Sequence, residues 1–216
     1  GRASGLFSGV AMKLGLLGGT FDPIHMGHLL IAEDAREQLG LDEVAFIPAG
    51  RPWLKAGHGV SDAGRRLEMV ELAVRGNTHF RVLDLEVQRA GSTYTVDTLE
   101  QLRGELPSTT DLYLLLGMDS IGDLARWRDP ARLFELCTLV GISRPGYADL
   151  SPGDLPVVAP GASEELLFIE GPMVGISGTD IRERVALGRS IRYRVPDAVE
   201  AYVREHGLYR NQPVSE

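Results

Sequence analysis

Leu14-Gly15-Leu16-Leu17-Gly18-Gly19-Thr20-Phe21-Asp22-Pro23-Ile24-His25-Met26-Gly27-His28 is the stretch on which the reading of this chain turns. It runs from an apolar strand through a glycine turn into two histidines at the start of a helix. Gly18 and Gly19 lack a Cβ, so the main chain can turn sharply and approach a ligand closely. The helix that follows offers unpaired N–H groups and the positive end of its dipole to an anion. His25 and His28, at spacing i and i+3, face the same side of that helix. Imidazole donates hydrogen bonds and carries charge near neutral pH. The arrangement suits a nucleotide phosphate. No Gly-Lys-Ser/Thr follows the glycines, so this is not a Walker A loop, and the spacing is not G-x-G-x-x-G. A plain turn followed by two surface histidines is the simpler reading of each part, but not of the parts together.

Outward from this stretch, apolar strands alternate with helices. Strands are expected at Lys13–Gly18, Val44–Pro48, Phe80–Val87, Asp111–Leu116, Thr138–Ser143 and Leu166–Ile169. Helices are expected at Gly27–Leu39 with Gly40 as its stop, at Asp62–Arg75 capped by Ser61, and at Thr95–Leu102. Asp129-Pro130 opens another that runs to about Leu136, and Thr179–Leu187 and Pro196–His206 end at Gly188 and Gly207. This predicts an α/β fold, a Rossmann-like doubly wound, mainly parallel sheet with helices on both faces. Ligands bind such sheets beyond the carboxyl ends of the strands. The glycine turn, Gly117-Met118-Asp119 and Arg144 all fall at such ends.

The chain has 216 residues, enough for one well-buried domain, with 44% hydrophobic and 24% charged residues. Residues 1–11 read as an extension before Met12, 12–210 as a single domain with the helices of 179–206 packed on it, and 211–216 as a tail. Tyr147–Ser163, rich in Pro, Gly and Asp, reads as a loop or insert. No apolar run is long enough to span a membrane. A net charge of −8 argues against nucleic acid as a partner, so positive charge must be local if the ligands are anionic. Cys137 is the only cysteine and reads as packing, which fits a reducing, cytoplasmic setting. The His, Cys, Asp and Glu spacing predicts no protein-built metal cage. The sequence leaves oligomer formation open.

Other constellations carry two readings each. Lys55, after Pro48-Ala49-Gly50-Arg51-Pro52-Trp53-Leu54, is either a phosphate-seeking cation on a loop or a solvated lysine. Thr93 or Thr95 in Ser92-Thr93-Tyr94-Thr95 is a helix cap, and the same helix start, flanked by hydroxyls and Tyr94, can seat a carboxylate. Asp119 is a ribose-hydroxyl acceptor or the cap of a short helix, Trp127 a stacking surface or a half-buried indole. Arg144 in Arg144-Pro145-Gly146 is a nucleotide contact or a solvent-facing turn residue. Ile176-Ser177-Gly178-Thr179-Asp180-Ile181-Arg182 offers a second helix start, with Arg182 one turn on able to reach phosphate oxygens, or is simply a well-capped helix.

GGTFDPIHMGH, residues 18–28, resembles the signature of nucleotidyltransferases with an HxGH motif, and the ISGTDIR segment resembles the Ile-Ser-Ser/Thr-x-x-Ile-Arg helix start of the same superfamily. Within it, Ser92–Thr95, Trp127 and the length are similar to the bacterial nicotinate-nucleotide adenylyltransferases, over roughly residues 13–209. The resemblance implies adenylyl transfer from ATP to nicotinate mononucleotide, with Mg²⁺ carried in on ATP. It implies that His25, His28 and Thr20 serve the α-phosphate and that Lys55 and Arg182 hold the leaving pyrophosphate. It implies that Gly18, Gly19, Asp119, Arg144, Ile176, Ser177 and Thr179 complete the ATP site, and that Thr93, Tyr94, Thr95, Asp119 and Trp127 hold the mononucleotide. Two departures stand out: Leu54 where the family commonly has His, and Gly178 where it has a second Ser. The alternatives are another member of the superfamily, such as a pantetheine-phosphate adenylyltransferase, or a non-catalytic nucleotide-binding regulator.

Overall fold

The apolar run ahead of the glycine turn forms strand β1 (Met12–Gly19). A computed structural model, describing residues 12–51, 60–143 and 166–210, places it inside a six-stranded sheet. The other strands are β2 (Glu43–Pro48), β3 (Phe80–Val82), β4 (Thr110–Gly117), β5 (Thr138–Ser143) and β6 (Leu167–Glu170). Their order is β3-β2-β1-β4-β5-β6, and all five pairings are parallel. β1 lies between β2 and β4, with Leu16 opposite Ala45 on one side and Leu114 on the other. The chain builds outward from β1 in one direction and then, through β4, in the other. The connections therefore leave a crevice at the carboxyl ends of β1 and β4.

The helices are α1 (Met26–Leu39), α2 (Ala63–Val74), α3 (Leu85–Gln88), α4 (Thr95–Glu105), α5 (Met118–Gly122), α6 (Pro130–Leu136), α7 (Gly178–Ala186) and α8 (Asp197–Glu205). Alternation along each strand sends side chains to two cores. Leu17, Val44, Phe46 and Leu115 meet Ala32 and Ala35 of α1, Met69 and Val70 of α2, Ile181 of α7 and Val199 of α8. Leu14, Leu16, Ala45, Ile47, Leu112 and Leu114 meet Val96, Leu99 and Leu102 of α4 and Leu133 of α6 on the opposite face. The doubly wound, parallel architecture expected from the alternation is the one observed. Among the described residues no helix is long and apolar enough to cross a membrane.

Two local expectations are corrected. The strand expected over Phe80–Val87 stops at Val82; Leu83 makes one last bond, its N–H to the Phe46 carbonyl, and the chain then turns into α3. Its partner β2 ends at Pro48, which has no N–H for further pairing. The cap of α2 is Asp62 rather than Ser61: the Asp62 carboxyl accepts from the N–H groups of Gly64 at 2.9 Å and Arg65 at 3.3 Å. Ser61 is engaged elsewhere through its backbone. Asp129 is the N-cap of α6 ahead of Pro130, as the sequence suggests, although it sits in the left-handed region (φ 47°) and its side chain makes no capping bond. Lys55, Arg144, the 147–163 insert and both terminal segments, 1–11 and 211–216, lie outside the described residues.

Candidate active site

β1 delivers Gly18 and Gly19 to the mouth of the crevice, and Thr20–Ile24 carry the chain to α1. A Cβ on Gly19 would stand 2.8 Å from the Phe21 ring, so this turn closes only over glycine. His25 is the N-cap of α1 in extended conformation, and His28 is its N3 residue. The His25 N–H donates to His28 Nδ1 at 3.2 Å, within a reciprocal capping box. The two rings stack with centroids 3.7 Å apart and planes 21° apart. A Cβ on Gly27 would press on the His25 ring at 3.1 Å, which explains a glycine between the histidines. Phe21 meets His28 edge-on at 4.9 Å. His28 is thus held between two rings. Because its Nδ1 accepts a backbone N–H, its Nε2 carries the proton available to a ligand.

His28 borders two cavities. The larger, about 330 Å³, is lined by Gly18, Gly19, Thr20 and His28 on one side and by Glu86, Thr93, Thr95 and Trp127 on the other. The smaller, about 150 Å³, is lined by His25, Gly27, His28, Ile176, Ser177 and Gly178. The first motif and the helix start of the second therefore share a wall, although some 150 residues separate them in the chain.

On the far side of the larger cavity α4 begins at Thr95. Its N-cap is Tyr94, whose side chain makes no capping bond, so neither Thr93 nor Thr95 caps this helix. The first-turn N–H groups therefore lack a side-chain cap. Thr93 is buried, and its hydroxyl bonds Glu86. Glu86, unremarked in the sequence, also accepts from the Thr98 hydroxyl at 2.9 Å. Burial pushes the Glu86 carboxyl above the usual carboxylate range; the hydroxyls of Thr98 and Thr93 and the charge of Arg89 work against this. Tyr94 turns away from the cavity to lie under the Arg128 guanidinium at 4.9 Å. Trp127 lines the cavity as expected, and its buried indole N–H has no hydrogen-bond partner among the described residues.

Asp119 is exposed in the first turn of α5, the short helix, whose N-cap is Gly117, and its neighbours Gly117 and Ser120 line the cavity. Ser177 caps α7, accepting from the Asp180 N–H at 3.1 Å. Arg182 reaches back to the first motif: its guanidinium donates to the Asp22 carbonyl at 2.8 Å and to the Thr179 hydroxyl at 3.3 Å.

Beneath the turn lies a polar hub. The Asp22 carboxyl accepts from the Ser61 N–H at 3.1 Å and from the Tyr209 hydroxyl at 2.7 Å. Burial, and then the adjacent Asp22, push the Tyr209 hydroxyl well above its ordinary pKa, so it stays a donor. Tyr209→Phe leaves a buried acceptor unsatisfied, and a loss of about 1–3 kcal/mol is expected in urea unfolding. An unchanged midpoint would mean the bond contributes nothing.

A glycine turn and paired histidines at the switch point of a parallel sheet are the marks of an α/β nucleotidyltransferase. The model of the cytidylyltransferase-like family matches residues 16–184. A probable nicotinate-nucleotide adenylyltransferase of Dehalococcoides mccartyi is 46% identical over 203 residues, covering 94% of this chain and 100% of the relative. One from Thermus thermophilus is 48% identical over 199 residues, covering 92% and 100%. In fold, the chain is similar to Plasmodium falciparum nicotinic acid mononucleotide adenylyltransferase complexed with NaAD, with a TM-score of 0.76 at 19% identity over 93% of this chain and 98% of that one. The chain belongs to the cytidylyltransferase-like family and, within it, to the nicotinate-nucleotide adenylyltransferases.

Proposed function

We propose that the protein transfers the adenylyl group of ATP to nicotinate mononucleotide, releasing pyrophosphate and forming nicotinate adenine dinucleotide. The observation that supports this reading is the position of His28 on the common wall of two cavities, and the proposal seats one reactant in each. An oxygen of the mononucleotide's phosphate attacks the α-phosphorus in line. The new P–O bond forms as the bond to the bridging β-phosphate oxygen breaks, and that oxygen leaves with the pyrophosphate. A phosphate dianion is already a nucleophile and needs no general base. Catalysis is therefore positioning plus stabilisation of charge on the transferring group.

His28 donates its Nε2–H to an α-phosphate oxygen, with His25 and Thr20 alongside. Lys55 and Arg182 hold the β- and γ-phosphates, Ile176, Ser177, Thr179 and Arg144 the adenosine end, and Asp119 a ribose. Arg182 is already aimed along the turn by its bond to the Asp22 carbonyl. ATP enters as its Mg²⁺ complex. Among the described residues no three His, Cys, Asp or Glu side chains cluster to cage a cation. Nicotinate stacks on Trp127, and its carboxylate takes the N–H groups at the start of α4.

Pyrophosphate release with Mg-ATP, measured separately with nicotinate mononucleotide, nicotinamide mononucleotide and phosphopantetheine, tests the proposal. Fast release with nicotinate mononucleotide is expected. Release only with phosphopantetheine would move the protein to another branch of the superfamily, and ATP binding without release would make it a regulator.

A further inference from the structure

The largest fully buried side chain in the described protein is charged. Arg66, on α2, is 1% exposed. Its guanidinium spends itself on backbone: Nε donates to the Ser61 carbonyl at 2.9 Å, and the two terminal nitrogens to the carbonyls of Thr20 at 2.7 Å and Gly50 at 2.9 Å. Among the described residues it forms no ion pair; Asp22 and Asp62 act on it only at longer range, against a burial that pushes its pKa down. A buried cation without an ion-pair partner is a poor device for stability, and an apolar side chain of similar size would serve a core better. Its geometry has a more particular use.

Phe21 follows Thr20 and is a non-glycine residue in the left-handed region, at φ 50°. Such a backbone persists only where its surroundings over-determine it. Two arginines bracket it: Arg66 fixes the peptide before Phe21 through the Thr20 carbonyl, and Arg182 the region after it through the Asp22 carbonyl. The conformation so enforced turns the Phe21 ring against Gly19 and edge-on to the His28 imidazole. We infer that Arg66 is a positioning residue for adenylyl transfer, fixing the His28 ring through the strained backbone and the ring of Phe21. The inference rests on the function proposed above for its kinetic consequence, but not for its structural one.

The experiment compares Arg66→Lys, which keeps the charge but loses the three-way fork, with Phe21→Leu, which keeps an apolar side chain but loses the ring edge. Each is followed by steady-state kinetics and by the NMR resonances of the His28 ring. Both variants should shift the His28 signals and lower kcat by about 10- to 100-fold, with KM for ATP nearly unchanged, as misplacement of a group acting in the transition state requires. Combined, they should cost little more than either alone, because they cut one chain of contacts. Arg66→Met, the harsher change, adds a thermal-unfolding readout. If it lowers only the unfolding temperature, while kcat per folded molecule and the His28 signals of the milder variants stay at wild-type values, the inference is overturned. Additive losses would also overturn it. Should the wild-type protein release no pyrophosphate with nicotinate mononucleotide, the functional reading fails, and the His28 signals still decide the role of Arg66.

Discussion

His28→Ala is expected to lower turnover with Mg-ATP and nicotinate mononucleotide by about 10²- to 10³-fold, the loss seen when one preorganised donor to developing charge is removed. The size follows from how little freedom this ring has. It is stacked on His25, edged by Phe21, and accepts the His25 N–H at Nδ1, so the donor at Nε2 is placed before substrate arrives. Alanine removes that donor and one half of a capping box, while Ala32 and Ala35 of α1 keep their place in the core. Stability should therefore fall only by about 1 kcal/mol, the worth of a helix cap. Turnover measured beside a thermal melt separates the two effects. A near-wild-type rate in a folded variant would remove His28 from the mechanism.

The second large effect expected is discrimination between acid and amide. Nicotinate mononucleotide should exceed nicotinamide mononucleotide in kcat/KM by about 10²-fold or more, since a carboxylate gains charge-assisted hydrogen bonds that an amide does not. The N–H groups at the start of α4 are donors without a side-chain cap, and the Thr93 hydroxyl is already committed to Glu86. An amide brings its own donors to a seat made of donors. Glu86 gives the preference a pH dependence. Burial raises its pKa, so it keeps its proton to a higher pH than an ordinary carboxyl. As it ionises it adds a negative charge to the cavity wall where the proposal seats the nicotinate carboxylate, so the preference should narrow with rising pH. Specificity ratios measured across the weakly acidic to neutral range check both points, and equal efficiency on the two mononucleotides would dismiss the carboxylate seat.

The parts of this protein legible in its sequence are those whose physics is local. The β1–turn–α1 unit can be read from neighbours within fifteen residues, as can Gly40 closing α1 and the cap of α7 by Ser177. Parallel order follows from the alternation of strands and helices. What could not be read depends on partners far along the chain. Phe80–Val87 alternates like a strand throughout, and only the end of β2 at Pro48 cuts it short. Arg66 looks like any helix arginine until Thr20, 46 residues earlier, is brought beneath it. Glu86 gains its meaning from Thr98, 12 residues on.

The bond between Tyr209 and Asp22 joins positions 187 residues apart. During synthesis the glycine turn is made long before its tie at Tyr209. Until then the turn has Arg66 and the capping box of its histidines, but not this anchor. A chain interrupted before Tyr209 would carry both histidines with one anchor of their turn missing.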